Sequence, residues 1–112
     1  NVAPQNLENA LKTAPLVSQA LVIGDRRPYV AALITTDPAV AEGLSPGQVQ
    51  ERVQAIVDGV NAELSRFEQI KRFRVLSRDF TAEDGEVTPT LKLKRRVVEE
   101  HFAPEIEELY AD

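Results

Sequence analysis

The chain has 112 residues, no cysteine, one histidine and a formal net charge of −5 at pH 7. This length suits about one domain, so we expect a single domain over residues 1–112. The acidic balance argues against general nucleic-acid binding, and a chain with neither cysteine nor a second histidine predicts no metal site and suits the cytoplasm.

The first third of the chain predicts a helix followed by a β-hairpin. Residues 4–14 carry two leucines four positions apart on one helical face. The runs 16–24 and 28–36 are rich in apolar and β-branched residues and are separated by a Gly-Asp-Arg-Arg turn, which predicts two strands. Because both runs are almost continuously apolar, we expect the strands to be buried on two faces.

The middle of the chain predicts one long helix and a third strand. Ser45 and Pro46 form a strong helix start, and apolar residues follow at spacings of three and four as far as Phe67. Residues 70–80 alternate apolar and basic side chains, which predicts a strand with one positive, solvated face.

The C-terminal part predicts two helical pieces. A helix is expected from about residue 92 to residue 102, and Pro104 is expected to begin a separate last turn. The predicted fold class is therefore α+β, with a small mixed sheet of about three strands and helices packed on it.

Positive charge is concentrated in the segment EVTPTLKLKRR, at the predicted start of the last long helix. Its four cations are Lys92, Lys94, Arg95 and Arg96. Cations at a helix start oppose the helix dipole, at ~0.3–1 kcal/mol each, so local stability does not account for them. Pairing at helical spacing with Glu99 and Glu100 accounts for Arg95 and Arg96, but Lys92 has no acid at the right offset.

Lys92 is suited to meeting an anion, because the lysine ammonium is a compact charge on a long flexible stem. A phosphate, or a carboxylate that changes its charge in a transition state, is the natural target. The chain has no glycine-rich phosphate loop and no nucleophile motif to accompany the lysine. A catalytic Lys92 therefore requires that the rest of the site lies on another part of the protein.

The segment GEVTPTLKLKRRVV, residues 85–98, resembles the C-terminal lysine motif of the adenylate-forming enzymes, in the variant typical of long-chain fatty-acid–CoA ligases. The segment NVAP followed by Leu7 and Glu8 resembles the motif just after the hinge of the same superfamily. Residues 15–35 resemble the hairpin between these two motifs. The resemblance covers nearly all of the chain and implies the fold of the C-terminal lid domain.

The resemblance implies a lid detached from the large N-terminal domain of an acyl-CoA synthetase, and the lack of methionine at the start fits an excised piece. Family members use ATP and Mg²⁺ to convert a fatty acid to an acyl-adenylate with release of pyrophosphate, and then pass the acyl group to coenzyme A. ATP, Mg²⁺ and coenzyme A are expected to be bound mainly by the N-terminal domain, which is the expected partner together with the fatty acid. The fragment alone is expected to be inactive. The expected localisation is cytoplasmic, with peripheral membrane association of the full-length enzyme left open.

The resemblance also assigns roles to residues. It aligns the catalytic lysine with Lys92, which would bridge the fatty-acid carboxylate and the α-phosphate of ATP during adenylate formation. Many relatives have a Ser-Gly pair where this chain has Thr90 and Leu91, which leaves Lys94 as the alternative register. The lid is expected to rotate for thioester formation, so that Lys92 leaves the site and the region near Asn1 faces the pantetheine tunnel.

Other charged residues have simpler interpretations. Four acids precede the lysine motif, namely Asp79, Glu83, Asp84 and Glu86. A solvated loop is the simpler interpretation of these acids, and acid–base work is the other. Four basic residues, called the basic stripe below, are Lys71, Arg72, Arg74 and Arg78. The stripe is interpreted as a solvated strand face, or as a contact for coenzyme A phosphates or the N-terminal domain, and His101 as structural or solvated.

A second hypothesis is a stand-alone interaction module whose basic stripe binds an acidic protein or an RNA. The net charge of −5 and the low aromatic content of 5% argue against it, because RNA-binding sheets usually present several exposed rings. A reading frame that continues for several hundred codons before Asn1 would favour the ligase hypothesis over this one.

Overall fold

The structure is a computed structural model that describes residues 3–111. The elements in chain order are α1 (Pro4–Leu11), β1 (Val17–Ile23), β2 (Val30–Thr36), α2 (Pro38–Ala41), α3 (Pro46–Asn61), β3 (Ile70–Val75), α4 (Arg95–His101) and α5 (Ala103–Leu109). Three strands and five helices in this range match the predicted α+β composition.

The three strands form one mixed sheet in the order β1-β2-β3. β1 and β2 pair antiparallel as a hairpin, with Leu21 opposite Leu33. β3 pairs in parallel with β2, with Phe73 opposite Ala32. A parallel pair needs a long crossover, and here α3 lies within it. The prediction of a three-stranded mixed sheet in an α+β fold is confirmed.

Both faces of the β1–β2 hairpin are covered, because alternate residues of a strand point to opposite faces. On one face, Val22 and Ile34 pack with side chains of α1 and α3. On the other face, Leu21 and Leu33 pack with side chains of α4 and α5. All four side chains are buried. The prediction of strands buried on two faces is confirmed.

α3 begins where the sequence predicts and ends earlier. Oγ of Ser45 accepts a hydrogen bond from the N–H of Gln48, and the Gln48 side chain accepts one from the N–H of Ser45, which forms a capping box. Asn61 is the last residue of the helix. Its side-chain amide accepts a hydrogen bond from the N–H of Ile70 at 2.8 Å and donates one to the carbonyl of Ile70 at 2.9 Å. These bonds turn the chain into β3. The prediction that Phe67 continues the apolar helix face is therefore wrong, and its side chain is 88% exposed.

The C-terminal helices are two short ones, as Pro104 predicts, but α4 begins later than expected. Lys92 and Leu93 belong to a small hairpin, in which Leu93 pairs with Val87. Both main-chain groups of Lys92 are engaged there with Thr88, and the first helical residue is Arg95 rather than Lys92.

Other elements differ from the sequence prediction as well. α1 ends at Leu11 rather than near residue 14, and Pro15 disfavours helical geometry in the residue before it. β3 ends at Val75 rather than near residue 80; Val75 pairs with Ile34, and the N–H of Leu76 donates to the carbonyl of Ile34. The short helix α2 was not predicted, and the side chain of Asp37 caps its start.

Candidate functional site

Lys92 lies at the end of a tight turn that closes a short hairpin. The N–H of Thr88 donates to the carbonyl of Lys92 at 2.8 Å, and the N–H of Lys92 donates to Oγ1 of Thr88 at 2.9 Å. Within the turn, the N–H of Leu91 donates to the carbonyl of Thr88 at 2.8 Å. Below the turn, Val87 and Leu93 pair as an antiparallel bridge. Both the N–H and the carbonyl of Lys92 are thus held by hydrogen bonds to Thr88.

Leu91, the residue before the lysine, has a left-handed backbone with φ of +67°. This conformation is uncommon outside glycine, because the Cβ atom crowds the neighbouring carbonyl. The Leu91 side chain is 63% exposed, so burial does not compensate for the strain. The glycine that the resemblance places here in many relatives is the residue that this φ favours.

The Lys92 side chain is exposed and belongs to none of the ion pairs found among residues 3–111. The structure therefore presents an ammonium group that is available to an anion outside this domain. Lys94 is exposed as well and lies outside the same ion pairs, but its N–H donates to the carbonyl of Glu86 at 2.8 Å and it is the N-cap residue of α4. The assignment of the catalytic role to Lys92 stays a prediction.

Glu86 is a fully buried carboxylate at the base of the hairpin. Its oxygens accept hydrogen bonds from both terminal nitrogens of Arg78, at 2.8 and 2.7 Å, and from the N–H of Thr81 at 3.1 Å. Nδ1 of His101 lies 2.7 Å from Oε2. Arg78 lowers the pKa of Glu86 to about 2, burial opposes this, and the contacts with His101 and Thr81 lower it further. The interpretation of the acids as a solvated loop is wrong for Glu86, and His101 lies in a structural contact.

Asp79 is also bound to the fold rather than solvated. Its carboxylate accepts hydrogen bonds from the hydroxyls of Ser18 and Thr35, the latter at 2.6 Å, and from the N–H of Phe80 at 2.8 Å. Ser18 lies on β1 and Thr35 on β2, so Asp79 joins the loop after β3 to the hairpin. The other two acids of this loop, Glu83 and Asp84, are exposed as expected.

Arg95 pairs with a different acid from the one that helical spacing predicts. Nη2 of Arg95 lies 2.9 Å from Oε1 of Glu8 on α1, and Glu8 is buried. Neither the predicted pair with Glu99 nor the predicted pair of Arg96 with Glu100 is among the ion pairs of residues 3–111. The first residue of α4 is thereby tied to the first helix of the domain.

The arginines of the basic stripe bind this chain itself. Arg74 pairs with Glu108, and Arg78 pairs with Glu86. Arg72 donates to main-chain carbonyls at the end of α5, at 3.3 and 2.7 Å. All four residues of the stripe are exposed, as expected of a solvated face, and its arginines also contact this chain. These contacts do not favour the stand-alone interaction module. A contact of Arg72, Arg74 or Arg78 with coenzyme A stays a prediction.

The larger clefts lie away from Lys92. One of about 490 Å³ follows β3 between α3 and α5, one of about 440 Å³ lies between α2, α3 and the end of β3, and another of about 440 Å³ lies between α1 and α3. Lys92 lines none of them. None of these clefts brings Lys92 to the edge of an anion pocket.

Cofactor and membrane features are sparse in the part of the chain that the structure describes. Residues 3–111 contain no group of three or more histidine, cysteine, aspartate or glutamate side chains that could hold a metal ion. Within the same residues no helix is long and apolar enough to cross a membrane. Asn1, which the resemblance places near the pantetheine tunnel, lies outside the described residues.

Sequence reasoning missed two buried carboxylates, and their arginine partners, that support the lysine segment. Glu8 and Arg95 lie far apart in the sequence, and Arg78 and Glu86 are separated by an irregular loop, so neither pair has a helical or strand spacing that reveals it. The one available signal was the excess of basic residues over local acids in the lysine segment. It indicates a need for partners without identifying them.

Known proteins resemble the chain over its whole length. Residues 1–112 match the family described as AMP-binding enzyme C-terminal domain. The chain is 42% identical to the long-chain-fatty-acid–CoA ligase FadD15 of Mycobacterium tuberculosis over 127 aligned residues, which cover 98% of this chain and 21% of that protein. It is 32% identical to the peroxisomal long chain acyl-CoA synthetase 6 of Arabidopsis thaliana, over 99% of this chain and 18% of that one.

A solved structure shares the same fold. The adenylation domain of a carboxylate reductase from Mycobacterium chelonae matches with a TM-score of 0.84 and 34% identity, over 99% of this chain and 18% of that chain. The chain thus spans about a fifth of the length of the proteins it matches.

Proposed function

Since the chain belongs to the family of AMP-binding enzyme C-terminal domains, we propose that it is the mobile C-terminal domain of a long-chain fatty-acid–CoA ligase. The identity of 42% to FadD15 supports this substrate class. The proposed whole enzyme activates a fatty acid with ATP to an acyl-adenylate and then transfers the acyl group to coenzyme A. ATP, Mg²⁺ and coenzyme A bind mainly to a larger N-terminal domain of the same polypeptide, which is the partner of this one.

Lys92 supplies the positive charge for the first half-reaction. Its ammonium meets the fatty-acid carboxylate and the α-phosphate of ATP while a carboxylate oxygen attacks that phosphorus. The observation that carries this role is an exposed lysine, outside the ion pairs of residues 3–111, on a main chain held by hydrogen bonds at Thr88. Removing such an electrostatic contact typically costs ~2.7–4 kcal/mol of transition-state stabilisation.

The domain rotates between the two half-reactions. Lys92 then leaves the site, and the segment that begins at Asn1 is expected to meet the pantetheine tunnel. Two packed cores support rotation as a rigid body, because well-packed interiors resist continuous deformation. A substitution of Lys92 is thus expected to affect adenylate formation and not thioester formation.

The experiment replaces Lys92 with alanine in the full-length enzyme. Adenylate formation, measured as pyrophosphate release with a fatty acid and ATP, is expected to fall by roughly 10²–10³-fold. Thioester formation from acyl-adenylate supplied in advance is expected to stay within about twofold, because the lysine has left the site in that step.

Lys94→Ala is the matched control, since Lys94 is exposed, lies two residues away and carries the same charge. It is expected to retain adenylate formation. A large loss with Lys94→Ala and none with Lys92→Ala would move the catalytic role to Lys94. Full activity of both variants would disprove a lysine-based mechanism in this segment.

A further inference from the structure

We infer that Glu86 is a positioning residue that holds the Lys92 hairpin in its active orientation. The inference rests on the function proposed above for Lys92. Glu86 does not reach an external substrate, because its side chain is fully buried. Its effect on the reaction is therefore transmitted through the main chain of the hairpin.

The main chain of Glu86 forms the base of the hairpin. Its carbonyl accepts the N–H of Lys94 at 2.8 Å, and the next residue, Val87, pairs with Leu93. Lys92 lies two residues before Lys94 in the sequence, and its main chain is hydrogen-bonded to Thr88. A displacement of Glu86 therefore moves both sides of the hairpin that carries the lysine.

The side chain of Glu86 fixes this base against two other parts of the fold. Arg78 and Thr81, in the loop after β3, donate to it, and His101 on α4 contacts Oε2. Both carboxylate oxygens are engaged by the planar fork of Arg78, which restricts direction as well as distance. The carboxylate thus joins the loop after β3, the hairpin and α4 at one point.

Stability does not by itself explain why this ion pair lies under the lysine hairpin. Replacing a buried ion pair with apolar side chains of similar volume is often neutral for folding, whereas a forked arginine–carboxylate pair fixes orientation. The location of this pair under the lysine hairpin therefore points to orientation of Lys92. An error of about 1 Å in the position of a catalytic group can lower a rate by roughly 100-fold.

The test uses Glu86→Gln in the full-length enzyme, because glutamine keeps the shape of the side chain and removes its charge. Adenylate formation is expected to fall by roughly 10–100-fold in kcat, while thioester formation from supplied acyl-adenylate stays within about twofold. Glu83→Gln is the matched control: it makes the same chemical change in the same loop at an exposed residue outside the ion pairs of residues 3–111, and it should leave both half-reactions unchanged.

A double variant separates positioning from general damage to the fold. If Glu86 acts through Lys92, Glu86→Gln has no further effect on adenylate formation once Lys92 is alanine. Independent losses that multiply would overturn the inference. Unchanged adenylate formation in Glu86→Gln, together with a large loss in Lys92→Ala, would overturn it and leave the proposed function intact.

His101→Ala covers the case in which Glu86→Gln does not fold. This change removes the contact that Glu86 makes with α4. The His101 side chain is 40% exposed, so its removal leaves the core in place. Adenylate formation is expected to fall by several-fold, again without an added effect in the Lys92→Ala background. An equal loss in both half-reactions would contradict positioning. Normal adenylate formation in Lys92→Ala would instead overturn the role proposed for Lys92, on which this inference rests.

Discussion

Glu8 and Arg95 lie 87 positions apart in the sequence, yet Oε1 of Glu8 and Nη2 of Arg95 are 2.9 Å apart. The other oxygen of Glu8 accepts the N–H of Val22 at 2.7 Å, and Nη1 of Arg95 donates to the carbonyl of Val22 at 3.1 Å. The pair thus satisfies both main-chain groups of Val22 on the open edge of β1. It joins the first helix, the sheet edge and the lysine segment.

Glu8→Ala is expected to lower the free energy of unfolding of the 112-residue chain by about 2–3 kcal/mol. It leaves the N–H of Val22 and the guanidinium of Arg95 without their partner at a mostly buried site. The corresponding fall in Tm is roughly 10 °C. Thermal unfolding followed by circular dichroism measures it.

Glu99→Ala is the control for the Glu8 prediction, because Glu99 is the partner that helical spacing assigns to Arg95. The structure predicts a change within about 0.5 kcal/mol for this exposed residue. A larger loss in Glu99→Ala than in Glu8→Ala would show that Arg95 pairs within its own helix.

Acid should destabilise the chain through Glu86. The pKa of Glu86 lies at about 2 in the folded chain, against an ordinary value of 4.5, because Arg78 stabilises the ionised form more than burial opposes it. The unfolded chain therefore binds a proton to this group at a higher pH than the folded chain. Ionised Glu86 therefore contributes about 3 kcal/mol to the free energy of unfolding above pH 4.5, and this contribution is lost progressively as the pH falls toward 2.

Urea unfolding between pH 6 and pH 2, about the range of this titration, measures the acid effect. Glu86→Gln cannot titrate and is expected to give a shallower dependence of stability on pH over that range. The exposed Glu83→Gln should keep the slope of the parent chain. Equal slopes for all three chains would exclude Glu86 as the source.

The fold could be predicted where the signal is local. Continuous apolar runs are enough to bury a hairpin on two faces, and Ser45 followed by Pro46 is enough to start α3. The periodicity could not show that α3 stops at Asn61, because the stop depends on hydrogen bonds to Ile70 nine positions later. Phe67 was misplaced for that reason.

The candidate site could be predicted only at its exposed end. Lys92 stands out because nearby acids have the wrong offset, a feature of the sequence itself. Its supports do not stand out, since Glu86 is held by Arg78 and His101 through contacts that follow no regular spacing. Partners that meet across loops depend on the packed structure, and the sequence pattern does not identify them.

The variant Leu91→Gly should be more stable toward unfolding than the variant Leu91→Ala. Its φ of +67° is strained for any residue with a Cβ atom, and its side chain is 63% exposed, so glycine relieves strain at little loss of packing. We expect Leu91→Gly to be more stable than Leu91→Ala by about 1 kcal/mol in urea unfolding.

Val40 provides the matched comparison for Leu91. It is 42% exposed and lies within the short helix α2, where alanine is favoured over glycine by about 1 kcal/mol. The order of the two variants should therefore reverse between positions 40 and 91. The same order at both positions would mean that the turn at Leu91 is not strained.

Alkaline pH should destabilise the chain through Tyr110. Burial raises the pKa of Tyr110 above its ordinary value of 10.0, and the guanidinium of Arg27, 4.7 Å from the ring centroid, opposes the rise. The hydroxyl lies 3.0 Å from the carbonyl of Tyr29 and 3.2 Å from that of Ile23, which favours the protonated form. The contribution of protonated Tyr110 to the free energy of unfolding is fully present below pH 10. It is lost as the pH rises through the raised pKa of Tyr110 in the folded chain.

Tyr110→Phe tests the alkaline prediction by removing the titrating hydroxyl. The variant is expected to lose about 1 kcal/mol near neutral pH, because a buried hydrogen bond is missing, and to show a weaker fall in stability above pH 10 than the parent chain. Urea unfolding at pH values on both sides of 10 measures the difference. Curves that stay parallel across this range would mean that Tyr110 ionises equally well in the folded and the unfolded chain, and that its burial in the fold has no effect on its proton.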